Sequence, residues 1–435
     1  MKRLLSLTSL VWLLLLSAPL WLFAGCRGAQ TGQQKIAFWS SLMGSKEAAR
    51  DQLIKDYEAA RPNVKVAHEG FFDIEEQNKK ILVAMASGTP PDVASNLAYF
   101  VGRYAAAGQL QPLDDWMARD GIARDQFEPA FLQGCVFEDK TYALPIFGET
   151  WALFYNTELF KKAGLDPSKP PTTWEELRDY AKKMTIWKGD TIQQAGFDVP
   201  YQIEDTMSDV FLTLLFQAGG EFLSPDGKSV AFDGPAGVEA LQFMVDLMRK
   251  DRVCQIGFGQ GLDQTPQAPF NAGTMAMSMM GPWGIVNVAK YSPDLPYAVA
   301  PLPSHKRTAS FAGTFVLFVP KAAKNKEGAW DFIRFFLDTP NLAKFTKACY
   351  RIPATLDAQK DPFFTEDPKM QVFVQAAKTA RMIPPIPQQS EILAAIQEQC
   401  QQAIYGKKTA EQALKDAAAV ANAALRRGAV GVAAP

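Results

Sequence analysis

Between Lys35 and Leu113, short apolar strands alternate with amphipathic helices, and this alternation admits few architectures. Lys35–Trp39 reads as a strand. Ser45–Ala60 then carries Ala49, Leu53, Ile54 and Tyr57 on one helical face and stops before Pro62. Val64–Glu69 is a second strand. A helix from Asp73 to about Ser87 follows, with Ile81, Leu82 and Met85 inward and Gly88 at its end. Pro91–Ala94 opens a third strand, and the next helix ends at Gly108. Strands and helices of these lengths predict an α/β lobe, with helices flanking a largely parallel sheet.

The later chain repeats this pattern in kind without a tandem repeat, which excludes a solenoid. Lys140–Phe154 is strand-like and aromatic. Thr173-Trp174-Glu175-Glu176 is a capping box, with Thr173 at the helix start and Glu176 bonding back. Further helices are expected at 209–218, 235–250, 328–338 and 409–426. About 410 residues remain after a leader of 25, too many for a single core, so two lobes are expected.

The N-terminus carries Lys2 and Arg3, a Leu-rich run and Phe23-Ala24-Gly25-Cys26. This pattern is that of an export signal (1–25) ending in a lipid-attachment cysteine, Cys26, followed by a polar tether over 26–33. Phe23 stands where a lipobox normally has Leu, and Leu22 lies one place earlier. The remainder is expected outside the cytoplasmic membrane, anchored by lipid at Cys26. Lys2 and Arg3 are the only charges in 1–25, so their removal moves the formal charge from −1 to −3. A near-neutral chain has no basic footprint for nucleic acid. Two histidines, His68 and His305, give little material for zinc sites or histidine triads, and no metal or cofactor is expected. Cys135, Cys254, Cys349 and Cys400 are scattered, so bridges and buried thiols both stay open.

Five stretches stand out: Met85-Ala86-Ser87-Gly88-Thr89-Pro90-Pro91-Asp92-Val93, Ala107-Gly108-Gln109-Leu110-Gln111-Pro112-Leu113, Tyr142-Ala143-Leu144-Pro145, Gly281-Pro282-Trp283 and Ala329-Trp330-Asp331-Phe332-Ile333. They resemble the extracellular sugar-binding proteins of ABC importers, the family of maltose- and glycerol-3-phosphate-binding proteins. They occur in family order over nearly all of the chain. The resemblance implies a two-lobed clamshell that closes on a ligand by bending at a hinge. On this reading lobe one covers 34–147 and 307–347, lobe two covers 148–306 and 348–428, and 429–435 is a disordered tail. It further implies a non-enzymatic receptor, expected to act as a monomer, that serves permease subunits and their cytoplasmic ATPase.

A sugar site needs aromatic platforms for C–H faces, and carboxylates, amides or arginine for hydroxyls. The candidates at strand ends are Trp39, Ser41, Asn96 and Tyr99, where open α/β sheets bind ligands. Asp73 opens a helix and is also a natural cap for it. Glu149 and Trp151 flank the first interlobe crossing, and Glu149 in its apolar stretch needs a partner. Trp283 follows a Gly-Pro turn that presents its ring. Gly313 and Thr314 bring backbone near the ligand, and Arg351 lies near the last crossing. In the resemblance, two cleft tryptophans of maltose-binding protein correspond to Asn96 and Leu393, and a tyrosine to Asp209. Only Trp283 is kept, so a mono- or oligosaccharide other than maltodextrin is expected. The alternatives are a phosphorylated polyol such as glycerol 3-phosphate, for which Arg351 is the available cation, a two-carboxylate glycoside hydrolase using Glu149, and a purely structural envelope protein.

Overall fold

The computed structural model describes residues 33–199, 205–258 and 265–431. The leader, Cys26 and nearly all of the tether lie outside the described residues, as do residues 432–435.

Strand β1 (Gln34–Ser40) leads to helix α1 (Glu47–Ala60), β2 (Val64–Gly70), α2 (Ile74–Ala86) and β3 (Val93–Leu97). β1 pairs in parallel with β2 on one side and β3 on the other. Every residue of β3 is buried, as expected of a strand covered on both faces. Gly88 and Gly108 both adopt the left-handed conformation that ends a helix without a Cβ penalty.

The aromatic stretch 140–154 breaks at Thr150-Trp151 into β4 (Ala143–Glu149) and β5 (Ala152–Asn156). These two strands belong to different sheets. The larger sheet gains β8 (Gly313–Phe318), antiparallel to both β3 and β4, and a short β9 (Ile352–Pro353) on β4. Its order is β9-β4-β8-β3-β1-β2. The smaller sheet places β5 between β6 (Met277–Met280) and β7 (Tyr297–Ala300), both antiparallel to it. The expected parallel sheet is therefore realised only by β1, β2 and β3.

In the second lobe α3 (Trp174–Met184) starts at Thr173, whose hydroxyl accepts from the Glu176 amide at 3.1 Å. Glu176 in return accepts from the Thr172 amide at 2.7 Å, one residue before the expected cap. Helix α4 (Asp205–Gln217) follows. The stretch expected as one helix over 235–250 is α5 (Pro235–Val245) closed by a π turn, Asp246–Lys250. The last helix, Ala410–Gly431, runs past residue 428, into the stretch expected as tail.

Both expected lobe boundaries in the later chain move. Residues 307–311 belong with the second lobe: the Arg307 guanidinium donates to the Gly220 carbonyl at 2.6 Å, and Ser310–Phe311 pairs with Ala380–Arg381. Residues 348–361 stay with the first: β9 sits on β4, the Ala354 amide donates to Ile146, and the Leu356 amide to Gln126. A two-residue strand carries no periodicity, so neither boundary had a pattern to mark it.

Among the described residues the four cysteines, Cys135, Cys254, Cys349 and Cys400, are free and buried. Burial pushes the Cys254 thiol up to about 12 and Cys349 up to about 11. Residues 33–435 should therefore show no reaction with Ellman's reagent when native and four equivalents in denaturant; fast native labelling would contradict this packing. Gly148, inside β4, has no room for a side chain, since a Cβ there meets the Phe131 ring at 2.1 Å. Gly148→Ala should cost about 1–3 kcal/mol in urea unfolding.

Candidate ligand-binding site

The strand registers put one set of strand ends along a single sheet edge. β1, β2 and β3 are parallel, and β4 runs the same way because both β3 and β4 are antiparallel to β8. Their C-terminal ends therefore align with the N-terminal ends of β8 and β9. Glu149 ends β4 opposite Gly313 of β8, and Arg351 directly precedes β9, whose Ile352 lies opposite Gly148. The chain crosses at this same edge, through Thr150 and Trp151 into β5.

Local bonds hold the crossing in place. The Thr150 hydroxyl donates to the Phe373 carbonyl at 3.1 Å, and the Trp151 amide donates to Ser310 Oγ at 3.0 Å. The outgoing crossing at 149–152 is thereby tied to the segment 310–313 that leads back. β5 and β6 run antiparallel with Ala152 opposite Met280, so Gly281-Pro282-Trp283 emerges beside Trp151. Trp283 begins helix α6 (Trp283–Tyr291), and its ring meets Trp151 edge-on, with centroids 5.4 Å apart at 84°. A Cβ on Gly281 would fall 1.8 Å from the Trp283 ring, so only glycine lets the indole lie back over the turn.

Glu149 and Arg351 form an ion pair in which the arginine side chain is 4% exposed and the glutamate 18%. Arg351 also donates from Nη1 to the Cys349 carbonyl at 2.8 Å and to Tyr350 at 3.1 Å. Tyr350 occupies the left-handed region at φ 51°, which turns the chain sharply out of helix α7 (Thr339–Cys349) into β9. The Arg351 guanidinium lies 5.8 Å from the Trp283 ring centroid, within cation–π range. Arginine thus joins the carboxylate to the aromatic pair.

A residue not anticipated completes this group. The Lys46 ammonium sits 4.6 Å over the Phe315 ring. Burial foremost, and then the charge of Arg351, lower its pKa to about 8, against an opposing pull from Glu149. Lys46 caps α1 at its N-terminus, where a cation is disfavoured by the helix dipole. That misplaced charge, in Gly44-Ser45-Lys46-Glu47, was the available sequence signal.

The other expected residues distribute unevenly. Tyr99 is buried, 6.3 Å from Phe311, with its hydroxyl 3.9 Å from where a Gly313 Cβ would be. Trp39 leans on Phe71 at 5.8 Å beneath the Lys80 ammonium, forming a separate aromatic group at the ends of β1 and β2. Phe72 beside it is 79% exposed. Asp73 caps α2 by accepting from the Glu76 amide at 2.8 Å. Ser41, Asn96 and Thr314 are buried within the lobe. Asn96, expected just after the third strand, lies inside β3; its Oδ1 accepts from the Leu97 amide at 2.8 Å and its buried Nδ2 has no hydrogen-bond partner among the described residues. Asp209 is half-buried on α4. Among the described residues no cluster of three metal-ligating side chains occurs, and no helix is long and apolar enough to cross a membrane.

The paired tryptophans, ion pair and lysine at one sheet edge bring apolar ring faces, hydrogen-bond donors and an acceptor close together. A model of bacterial extracellular solute-binding proteins matches residues 52–372. The chain belongs to that family. A putative binding protein of Brucella abortus is 29% identical over 382 residues, covering 87% of this chain and 90% of its own. The sn-glycerol-3-phosphate-binding periplasmic protein of Escherichia coli is 25% identical over 417 residues, covering 90% of this chain and 92% of its own. A solute-binding protein of an ABC transporter from Thermotoga lettingae, solved with α-D-tagatose, superimposes with a TM-score of 0.80 at 28% identity. It is matched over 90% of this chain and all of its own. The solute-binding protein is thus an extracytoplasmic, two-lobed α/β receptor, as its sequence led one to expect.

Removing Arg351 tests the ion pair directly. Arg351→Met leaves Glu149 without its counter-charge in a largely buried place and should cost about 3 kcal/mol in urea unfolding. Adding Glu149→Gln should recover roughly half, because the stranded charge is then gone. An unchanged midpoint for Arg351→Met would show that the pair contributes little to stability.

Proposed function

We propose that this protein captures a mono- or oligosaccharide between its lobes and delivers it to the permease subunits of an ABC importer, which a cytoplasmic ATPase drives. The observation that carries this reading is the meeting of Trp151 and Trp283 with Glu149 and Arg351 at the crossing between the sheets. The indole faces suit C–H surfaces, and the ion pair offers both acceptor and donor to neighbouring hydroxyls. Trp283 is the principal platform. Trp151 buttresses it, Gly313 leaves space beside Tyr99, and the group of Trp39, Phe72 and Asp73 extends the surface toward the ends of β1 and β2. Tagatose in the Thermotoga lettingae relative supports a sugar of this size.

The mechanism is a population shift. Ligand contacts on both lobes favour a closed form, and that form docks on the transporter. Lipid at Cys26 keeps the receptor, acting as a monomer, at the membrane. Glycoside hydrolysis needs two carboxylates flanking the scissile bond. Glu149 instead sits in an ion pair with Arg351, which suits an acceptor for hydroxyls rather than an acid that must give up a proton.

A thermal-shift screen of residues 27–435 against neutral and acidic mono-, di- and trisaccharides and sugar phosphates should find compounds that raise the melting point, since they bind the folded form selectively. Solution scattering should then show a smaller radius of gyration with the same compound. Trp283→Ala should weaken it by about tenfold through lost stacking. Stabilisation with no change in dimensions would refute closure, and equal affinity in Trp283→Ala would remove this platform from the site.

A further inference from the structure

The charges at the site do not balance. Lys46 and Arg351 are cations, and Glu149 is the carboxylate among them, already paired with Arg351. Among the described residues no carboxylate oxygen lies within ion-pair distance of the Lys46 ammonium, whose close neighbour is the Phe315 ring. Glu47, the next residue, turns instead toward Arg50 at 3.6 Å. The Cys349 thiol nearby is held protonated by burial and offers no charge. The half-buried ammonium thus lies over the Phe315 ring with a second cation, Arg351, close enough to repel it.

We propose that the ligand carries an anionic group, a carboxylate or a phosphate, and that Lys46 together with Arg351 receives it. This rests on the reading of the protein as a sugar-capturing receptor and names the class of sugar: a uronate, or a phosphorylated sugar or polyol. Neutral hydroxyls can accept hydrogen bonds from an ammonium, but they leave its charge uncompensated in a place where water is scarce. An oxyanion supplies the missing charge and makes stronger, charge-assisted bonds to both groups. The arrangement divides the ligand: its anionic end meets Lys46 and Arg351 on the first lobe, and its ring meets Trp283 on the second. The depressed pKa of Lys46 agrees with an ammonium that lacks its counter-ion. When an anion binds, that pKa rises, so the complex holds the proton to higher pH than the free receptor. Affinity must therefore fall as pH climbs past about 8.

The test compares matched pairs on residues 27–435: glucose with glucuronate and glucose 1-phosphate, galactose with galacturonate and galactose 1-phosphate, and glycerol with glycerol 3-phosphate. Neutral di- and trisaccharides and inorganic phosphate are included, and thermal shift is followed by calorimetry. Stabilisation should be confined to anionic members, and the uronate and phosphate arms separate the two sources of charge. Lys46→Met should weaken the preferred anion by about 10–100-fold, whereas Lys46→Arg should retain most of the affinity. Wild-type affinity for it should fall by up to about tenfold per pH unit above about pH 8, a range in which carboxylates and phosphate monoesters are already fully ionised. A neutral saccharide that binds as tightly as its anionic counterpart overturns the proposal while leaving the sugar receptor intact. An anion whose affinity is unchanged in Lys46→Met, or flat across that pH range, overturns it as well. If neither class stabilises the protein, the sugar-receptor reading falls with it.

Discussion

The ion pair between Glu149 and Arg351 is the contact on which the rest of the arrangement depends. Glu149 is the last residue of the strand that leaves the first sheet, and Arg351 is the residue from which β9 returns to that sheet. Their pairing fixes both segments beside Gly313, where a third passage of the chain begins. Burial makes the pair demanding, because each charge needs the other and Arg351 needs further acceptors. The carbonyls of Cys349 and Tyr350 supply those acceptors, made available by the left-handed turn at Tyr350. Breaking the pair strands a charge, which is why its cost exceeds the modest net value of making it.

From that pair the division of labour between lobes follows. The first lobe contributes the polar and charged groups, Glu149, Arg351 and Lys46, from strand ends and one helix start. The second contributes the indole of Trp283 from a Gly-Pro turn at the start of a helix. Trp151 lies on the crossing itself and touches Trp283, so the aromatic surface is anchored at the point where the chain passes between sheets. The bond from the Trp151 amide to Ser310 ties two crossings together. On the proposed clamshell reading, a bend there would change a few backbone torsions while both sheets stay intact.

What could be read from the sequence was what local pattern encodes. Helix starts at Asp73 and Thr173 followed from the capping residues, and helix stops at Gly88 and Gly108 from glycine's access to left-handed backbone. Trp283 and Glu149 were legible because a tryptophan after Gly-Pro and a lone acid in an apolar run are locally conspicuous. The partner of Glu149 was foreseen only as a requirement, since the pairing with Arg351 depends on β9 lying against β4. Asn96 is placed by its pattern just after a strand, whereas β3 runs on to Leu97 and holds it in register with Val316 of β8, buried. Lys46 went unnoticed because its importance lies in the residues it approaches, and those come from distant parts of the chain.

On the proposed reading, the same charges would make closure depend on the ligand. The second lobe already presents an indole rather than a carboxylate to the ion pair, with Trp283 5.8 Å from the Arg351 guanidinium, and further closure would remove water from Lys46. An empty closed form would leave an ammonium desolvated with no counter-charge, which is unfavourable by several kcal/mol in a medium of low polarity. A more open arrangement would return water to the ammonium and lessen that cost. A guest that brings oxyanion character to Lys46 and an apolar ring face to Trp283 reverses the balance, because its contacts exist in full only when both lobes meet it. The imbalance of charge that selects the guest also keeps the closed form from accumulating without it, so recognition and closure draw on one physical cause.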